Sequence, residues 1–166
     1  MTMRAPTPAD VPRIAAVAAE GFETYRSFAP AGWTPPPIEE HERYLTARLW
    51  DSDTWATLAE QGDTIAGIVS MIPAATARHP VADPRLAHLW QLFVAHEWWG
   101  SGLATRLHGL ATEAASTRGF TAMRLFTPAD QARARRFYER EGWRIAAAPE
   151  DDEIGFAVVE YRLDLG

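Results

Sequence analysis

The segment Leu89–Ala115, LWQLFVAHEWWGSGLATRLHGLATEAA, predicts a buried strand, a turn that contains Gly100 and Gly102, and an amphipathic helix. Apolar side chains follow the turn at helical spacing, at Leu103, Leu107, Leu110, Ala111 and Ala114. The first turn of such a helix presents unpaired backbone N–H groups and the positive end of the helix dipole, and glycine lets an anion approach them closely. The segment therefore predicts a binding site for a phosphate or a diphosphate.

Two common phosphate-binding motifs do not fit this turn. A P-loop needs a lysine that reaches the phosphates, but this chain has no lysine, and all 16 of its basic residues are arginine. A dinucleotide-binding fingerprint needs three glycines in the pattern GxGxxG, but Leu103, Ala104 and Thr105 follow Gly102, so the third glycine is missing. Both of these classes of site are excluded.

Two patterns resemble signatures of the GNAT family of N-acetyltransferases. Residues 99–104, WGSGLA, resemble the family's pyrophosphate loop, Q/R-x-x-G-x-G/A, with Trp99 in place of Gln or Arg. Residues 131–143, QARARRFYEREGW, resemble its second signature, N-x-x-A-x-x-F-Y-x-x-x-G-F, with Gln131 in place of Asn and Trp143 in place of Phe. The two signatures occur in the family's order, with a predicted strand between them.

The resemblance implies both a fold and a cofactor. The fold is α/β (α+β), the GNAT acyltransferase fold, with a mixed central sheet of about seven strands and about four helices, here as a single N-acetyltransferase domain over residues 1–166. The cofactor is acetyl-CoA, whose pantetheine arm would insert where the cofactor strand separates from its neighbour. The implied cofactor-binding residues are Leu92, Phe93, Val94, Trp99, Gly100, Ser101, Gly102, Leu103, Ala104, Thr105, Gln131 and Tyr138.

Periodicity and turn residues predict the other elements of the chain. They predict a first strand at 1–5, helices at 7–22, 38–49 and 129–141, strands at 54–60, 64–72, 121–126, 143–147 and 156–163, and an acidic connecting loop at 149–153. The resulting order, β-α-α-β-β-β-α-β-α-β-β, is the order that the resemblance implies.

Tyr138 stands where the family places its general acid. When an amine attacks the thioester, the departing thiolate of coenzyme A needs a proton, and a phenol with a pKa of about 10 can donate it. A tyrosine packed on the inner face of the helix would give the same pattern. The resemblance implies that Tyr138 is the catalytic acid.

The general base has several candidates. Strand alternation places His88, Trp90 and Leu92 on one face. His88 lies six residues before Val94, near the point where some members of the family carry a catalytic Glu, so the resemblance makes His88 the first candidate. The near-neutral pKa of histidine suits a base. Glu97, Glu20 and a chain of water molecules are the alternatives.

The acceptor site is expected below the segment that joins the first two helices. Tyr25, Phe28 and Trp33 can form an aromatic wall there, and Glu23 can attract an ammonium group. A loop held by aromatic packing explains these residues equally well.

Composition narrows the function. The net charge of −6 argues against a nucleic-acid partner. Without cysteine there is no thiol nucleophile, so direct attack in a ternary complex is expected, and no metal is implied. No apolar run reaches membrane-spanning length and no signal peptide is visible, so we expect a cytoplasmic protein without a membrane partner. Exposed aromatic residues at 96, 98 and 99 can signal a dimer contact, which leaves a homodimer open.

The sequence therefore predicts an acyltransferase, an acetyl-CoA-dependent N-acetyltransferase that acts on a primary amine of a small molecule or of a peptide or protein N-terminus. A non-catalytic, regulatory acyl-CoA-binding module is the alternative from another class. A transferase for another acyl-CoA or for an oxygen acceptor is the third reading.

Overall fold

The computed structural model describes residues 1–152 and 154–166, which form one eight-stranded sheet with four α-helices. The strands are β1 (Thr2–Arg4), β2 (Trp55–Gln61), β3 (Thr64–Pro73), β4 (Leu86–Val94), β5 (Ala122–Pro128), β6 (Arg144–Ile145), β7 (Glu150–Asp151) and β8 (Ala157–Asp164). The helices are α1 (Val11–Glu23), α2 (Ile38–Arg48), α3 (Leu103–Thr117) and α4 (Ala132–Arg140).

The sheet has the order β1-β2-β3-β4-β5-β8-β6, and β7 pairs with β8. Only the β4–β5 pair is parallel among the described strands, and α3 makes the crossover between its two members. The predicted mixed sheet with four helices is confirmed. The sequence predicted a loop over 149–153, and this prediction is wrong at Glu150 and Asp151, which form β7. Glu153, from the same stretch, lies outside the described residues.

Helices cover both faces of the sheet, and each face has its own apolar core. On one face, Leu107 and Ala111 of α3 pack against Val69 of β3. On the other face, Ile14 of α1 and Leu45 of α2 belong to a second core, together with Ile65 and Ile68 of β3. Because β3 is covered on both sides, its side chains are almost all buried. The helical stripe predicted after the glycines thus anchors α3 on the sheet.

A β-bulge interrupts β4 at Trp90. Leu89 pairs with Met71 and Gln91 pairs with Ser70, so Trp90 is an extra residue with no partner on β3. The bulge shifts the alternation: Trp90 packs on the α1–α2 core, whereas Leu92 packs on the α3 core. The prediction that Leu92 shares a face with Trp90 is therefore wrong, because simple alternation cannot account for an inserted residue.

The two parallel strands separate beyond their first three residues. β4 pairs with β5 only at 86–88, opposite 122–124. After that point β4 stays with β3 through Val94, while β5 stays with β8 through Pro128. A gap therefore opens between β4 and β5 in the middle of the sheet, as the family resemblance implied.

Candidate active site

A cavity of about 1110 Å³ occupies the gap between β4 and β5. Its walls include residues 88–94 of β4, 125–128 of β5, the turn before α3, and parts of α4. On the opposite side it reaches α1 and α2. One cavity therefore joins the predicted phosphate site to the region predicted to hold the acceptor.

The turn before α3 has the geometry that an anion site requires. Gly100 and Gly102 have φ angles of +76° and +85°, which favour glycine, and α3 begins immediately after Gly102. Within the part of the chain that the structure describes, the amides of Gly100, Gly102, Ala104 and Thr105 donate to no protein acceptor. Four backbone donors thus remain for a ligand at the start of a helix.

Two hydroxyl groups near this turn are already bonded. The Ser101 hydroxyl donates to the Trp98 carbonyl at 2.6 Å and accepts from the Leu103 amide at 3.3 Å. The Thr105 hydroxyl donates to the Glu141 carboxylate at 3.2 Å. The Ser101 bonds lie within the turn, and the Thr105 bond ties α3 to the end of α4. The unbonded donors at the turn are therefore main-chain amides.

Trp99 is fixed beside the glycines by contacts on several sides. Its indole N–H donates to the Val94 carbonyl at 2.8 Å, and its ring centroid lies 4.4 Å from that of His96. The guanidinium carbon of Arg133, from α4, lies 3.4 Å from the ring centroid. Trp99 is therefore half-buried by contacts within this chain, and the homodimer stays a prediction.

The main chain of β4 faces the gap at alternate residues. The Phe93 carbonyl oxygen lies 2.9 Å from the position that a Cβ on Gly67 would take, so it points toward β3. Because the N–H and C=O of one strand residue point the same way, the polar main-chain groups that face the gap belong to Leu92 and Val94. The Val94 carbonyl is already bonded to Trp99.

Tyr138 lines the cavity from α4, next to the strand gap. Burial raises the pKa of its phenol above the ordinary value, and the nearby phenol of Tyr25 raises it further. Burial also raises the pKa of Tyr25 to about 12. Both phenols therefore stay protonated at neutral pH, so Tyr138 can donate a proton but cannot act as a base. Gln131, at the start of α4, lines the same cavity.

His88 is buried at the wall of the cavity, and Arg124 holds it. The Arg124 Nε–H donates to His88 Nδ1 at 3.2 Å, which leaves the ring proton on Nε2. Burial and the positive charge of Arg124 lower the pKa of His88 to about 3. Arg124 also donates to the carbonyls of Arg78 and His79. His88 is thus a neutral ring in a polar cluster, and the protonated Nε2 has no lone pair for an incoming proton.

The alternative bases lie away from the cavity. The Glu20 carboxylate accepts the His96 amide at 2.8 Å and thereby ties α1 to the turn after β4. Glu97 is exposed on that turn. Neither carboxylate lines the cavity.

The predicted aromatic wall exists, but only one of its members faces the cavity. Tyr25, Phe28 and Trp33 cluster around Phe156, with ring centroids 5.5–5.8 Å from that ring. Tyr25 lines the cavity, while Phe28 and Trp33 pack behind it. The Trp33 indole N–H donates to the Ile154 carbonyl at 2.8 Å, so these rings attach the α1–α2 segment to the segment before β8.

Glu23 is exposed and pairs with Arg26 at 2.7 Å. It does not line the cavity. The structure therefore does not bring it together with Tyr25 on the α1–α2 side of the cavity, which we call the acceptor end because the acceptor is predicted to lie there.

The acceptor end also contains residues that sequence analysis missed. Phe22 of α1, His41 and Tyr44 of α2, and Trp90 of the bulge all line it. Tyr44 and Trp90 pack edge to face with centroids 5.3 Å apart, and burial lowers the pKa of His41 to about 4. The i, i+3 spacing of His41 and Tyr44 places both side chains on one face of α2. This spacing is the signal in the sequence that pointed to these two residues.

Among the described residues, no helix is long and apolar enough to cross a membrane.

The sequence matches the profile of the acetyltransferase (GNAT) family over residues 18–143. No curated protein matches it at a significant level.

Several solved structures share the fold. A protein from Desulfovibrio desulfuricans, described as a putative acetyltransferase of the GNAT family, is 22% identical with a TM-score of 0.78 and 99% of each chain covered. The ribosomal-protein-alanine N-acetyltransferase of Brucella melitensis is 18% identical with a TM-score of 0.74 and 99% of each chain covered. The PaiA N-acetyltransferase of Thermoplasma acidophilum, solved in complex with coenzyme A, is 18% identical with a TM-score of 0.71 and 96% of each chain covered.

Proposed function

This chain belongs to the acetyltransferase (GNAT) family, and on that premise we propose that it transfers the acetyl group of acetyl-CoA to a primary amine by direct attack in a ternary complex. The observation that carries the proposal is the single cavity that joins the glycine turn, the gap between β4 and β5, and Tyr138. This cavity has room for a long, bent cofactor and a small acceptor together.

The residues present fit coenzyme A. The four free amides of the turn, together with the α3 dipole, suit a diphosphate. The gap beside β4 offers main-chain groups of Leu92 and Val94 to the amides of a pantetheine arm. Phe93 would contribute packing, because its polar main-chain groups point toward β3. We assign Leu92 and Val94 as the main-chain contacts, and Gln131 as a further side-chain donor from α4.

Acetyl-CoA, when bound, supplies an acetyl thioester whose carbonyl carbon the amine attacks and whose thiol departs. Tyr138 would hold a proton beside the sulfur, since its raised pKa keeps the phenol protonated at working pH. Enclosure by β4, β5 and α4 would position the two reactants. This mechanism requires no covalent intermediate on the protein, in line with the absence of cysteine.

The catalytic role of His88 as a base stays a prediction, and two features weigh against it. Its pKa of about 3 is far below that of an alkyl ammonium group, and its free nitrogen carries the proton. We propose instead that the amine reacts in its neutral form after losing a proton to water in the cavity. The rate constant kcat/KM should then rise with pH up to the pKa of the amine, both in the wild type and in a His88→Gln variant.

The acceptor would lie among Phe22, Tyr25, His41, Tyr44 and Trp90. These side chains are aromatic and, because His41 is neutral, uncharged. An amine attached to an apolar or aromatic group would bury that group among the rings. Before it loses its proton, the ammonium group is also attracted to the ring faces. Both a small amine and a peptide N-terminus remain compatible with this site.

A screen of an amine library with acetyl-CoA tests the function, with release of free thiol as the signal. Binding of coenzyme A is measured in parallel by calorimetry. Transfer to at least one amine class is the expected result. Binding of coenzyme A without transfer to any amine would favour the non-catalytic binding module, and transfer only from longer acyl-CoA donors or only to hydroxyl acceptors would favour the third reading. Absence of binding would refute the proposal altogether.

A further inference from the structure

We infer that Arg133 of α4 supplies the side-chain cation with which the glycine turn holds the diphosphate of coenzyme A. The inference rests on the proposed function. It answers a question that the sequence raised, because Trp99 occupies the first position of the turn and carries no charge.

Trp99 forms a fixed platform at the turn. Its indole is held at one edge by the hydrogen bond to the Val94 carbonyl, and it contacts the His96 ring. An indole fixed in this way cannot swing into the space in front of the glycines. It presents the face of its ring, which attracts a cation.

The Arg133 guanidinium lies on that face, with its central carbon 3.4 Å from the ring centroid. A stacked guanidinium keeps its N–H donors free, because they point outward in its own plane. Arg133 and Trp99 line the same cavity as Gly100 and Gly102. The stack therefore brings a planar, charged donor group next to the free amides of the turn.

Arg133 has no partner that would neutralise it. In the described chain, neither a carboxylate nor a carbonyl group bonds to its guanidinium, whereas Arg135 donates to Tyr161 and Arg140 lies near Glu141. Partial burial lowers the pKa of Arg133, but an arginine remains charged at neutral pH. An unpaired, pre-oriented arginine beside free amides suits an anion with several oxygens, such as a diphosphate.

The inference can be tested by titrating purified protein with three ligands and following tryptophan fluorescence and heat. Coenzyme A carries the diphosphate and a 3′-phosphate, dephospho-coenzyme A keeps only the diphosphate, and pantetheine has no phosphate. Arg133→Ala should weaken binding of both coenzymes about tenfold and leave pantetheine unchanged. The double variant Trp99→Arg/Arg133→Ala should regain most of the lost affinity, because it returns a cation to the turn.

Two controls make the result specific. Arg118→Ala removes an exposed arginine at the far end of α3 and should bind all three ligands as the wild type does. Arg133→Lys keeps the charge but loses the planar stack, and it should fall between the wild type and Arg133→Ala.

Several outcomes would overturn the inference without touching the proposed function. The first is that Arg133→Ala binds coenzyme A as tightly as the wild type does. Another is a loss confined to coenzyme A but absent for dephospho-coenzyme A, which would move the contact to the 3′-phosphate. An equal loss for pantetheine would show that the substitution acts on the fold. If the wild-type protein itself binds neither coenzyme, the proposed function fails first.

Discussion

The two ends of the cavity are built in different ways. The cofactor end comes from two continuous segments, 89–105 and 131–138, and its donors are mainly backbone amides placed by Gly100 and Gly102. The acceptor end is assembled from side chains of α1, α2, β4 and the loops that precede β4 and β8. A ligand held by the main chain leaves a local pattern of glycines in the sequence, whereas a ligand held by scattered side chains leaves none.

The two ends also differ in charge. Arg133 and Arg136 line the cofactor end, which suits a phosphate ligand. At the acceptor end, burial keeps His41 and His88 neutral, and Asp152 pairs with Arg78. The first end is therefore prepared for an anion, while the second is lined mainly by aromatic side chains, with Glu40 and Arg43 of α2 as further charged members.

Tyr138 lies where the two ends meet, so its loss tests the comparison most strongly. Tyr138→Phe should lower kcat by about 100-fold or more, because a general acid contributes roughly that much. Affinity for coenzyme A should stay unchanged, since the phenol hydroxyl is not part of the phosphate site. Steady-state kinetics and calorimetry measure the two effects. Tyr161→Phe, a buried neighbour outside the cavity, is the matched control, and unaltered turnover in Tyr138→Phe would remove the acid assignment.

Acid should destabilise the protein through the histidines of the acceptor end. The folded-state pKa values are about 4 for His41 and about 3 for His88, below the unfolded value near 6.5, so below that pH the unfolded chain binds protons that the folded chain does not. The free energy of unfolding should fall between pH 7 and 5.5 by about 1 kcal/mol per histidine.

Urea unfolding at the two pH values measures this loss, with His41→Gln and His88→Gln as comparisons. In each variant, the fall in the free energy of unfolding between the two pH values should be smaller by the contribution of the replaced histidine. Asp10 stays ionised over this range, because Arg4 holds its pKa well below the ordinary value. A pH dependence that both variants share in full with the wild type would contradict the assignment.

Gly102→Ala should damage the cofactor end alone. At a φ of +85° an alanine is strained by about 1–2 kcal/mol, and relief of that strain would turn the neighbouring amides away from the ligand. Coenzyme A should bind about tenfold more weakly. Gly109→Ala, within α3 and with open space around it, should bind normally and gain about 0.5–1 kcal/mol of stability. Equal binding by the two variants would show that the geometry of the turn is unimportant.

Trp33→Phe should produce the smallest effect, and only at the acceptor end. The change keeps the ring packing but removes the N–H that bonds to the Ile154 carbonyl. Loosening this segment should raise the KM for the amine about threefold, as expected for one neutral hydrogen bond, and leave the KM for acetyl-CoA unchanged. Trp50→Phe, at an exposed position, serves as the control. A change in the KM for acetyl-CoA instead would break the separation of the two ends.

Most of the fold was predictable because its signals are local. The helical stripe after Gly102 and the order of strands and helices follow from periods of a few residues. The bulge at Trp90 was not predictable, because it is defined by how β4 pairs with β3. β7 was missed because two acidic residues carry no strand pattern and become a strand only beside β8.

The candidate site residues also divide into those with a local signal in the sequence and those decided by contacts between distant segments. The glycine turn and Tyr138 lie in the cavity where the two signatures suggested. His88 also lies there, but Arg124, 36 positions away, sets its protonation. Of the predicted acceptor residues, only Tyr25 lines the cavity. Phe28 and Trp33 pack against Phe156 instead.

The sequence by itself determined the family, the anion-binding turn and the position of the phenol on its helix, because each depends on residues adjacent in the chain. The tertiary structure decided the gap between β4 and β5, the residues at the acceptor end and the pairing of Trp99 with Arg133. These features depend on contacts between distant segments. Strand register, burial and stacking exist only after the chain has folded.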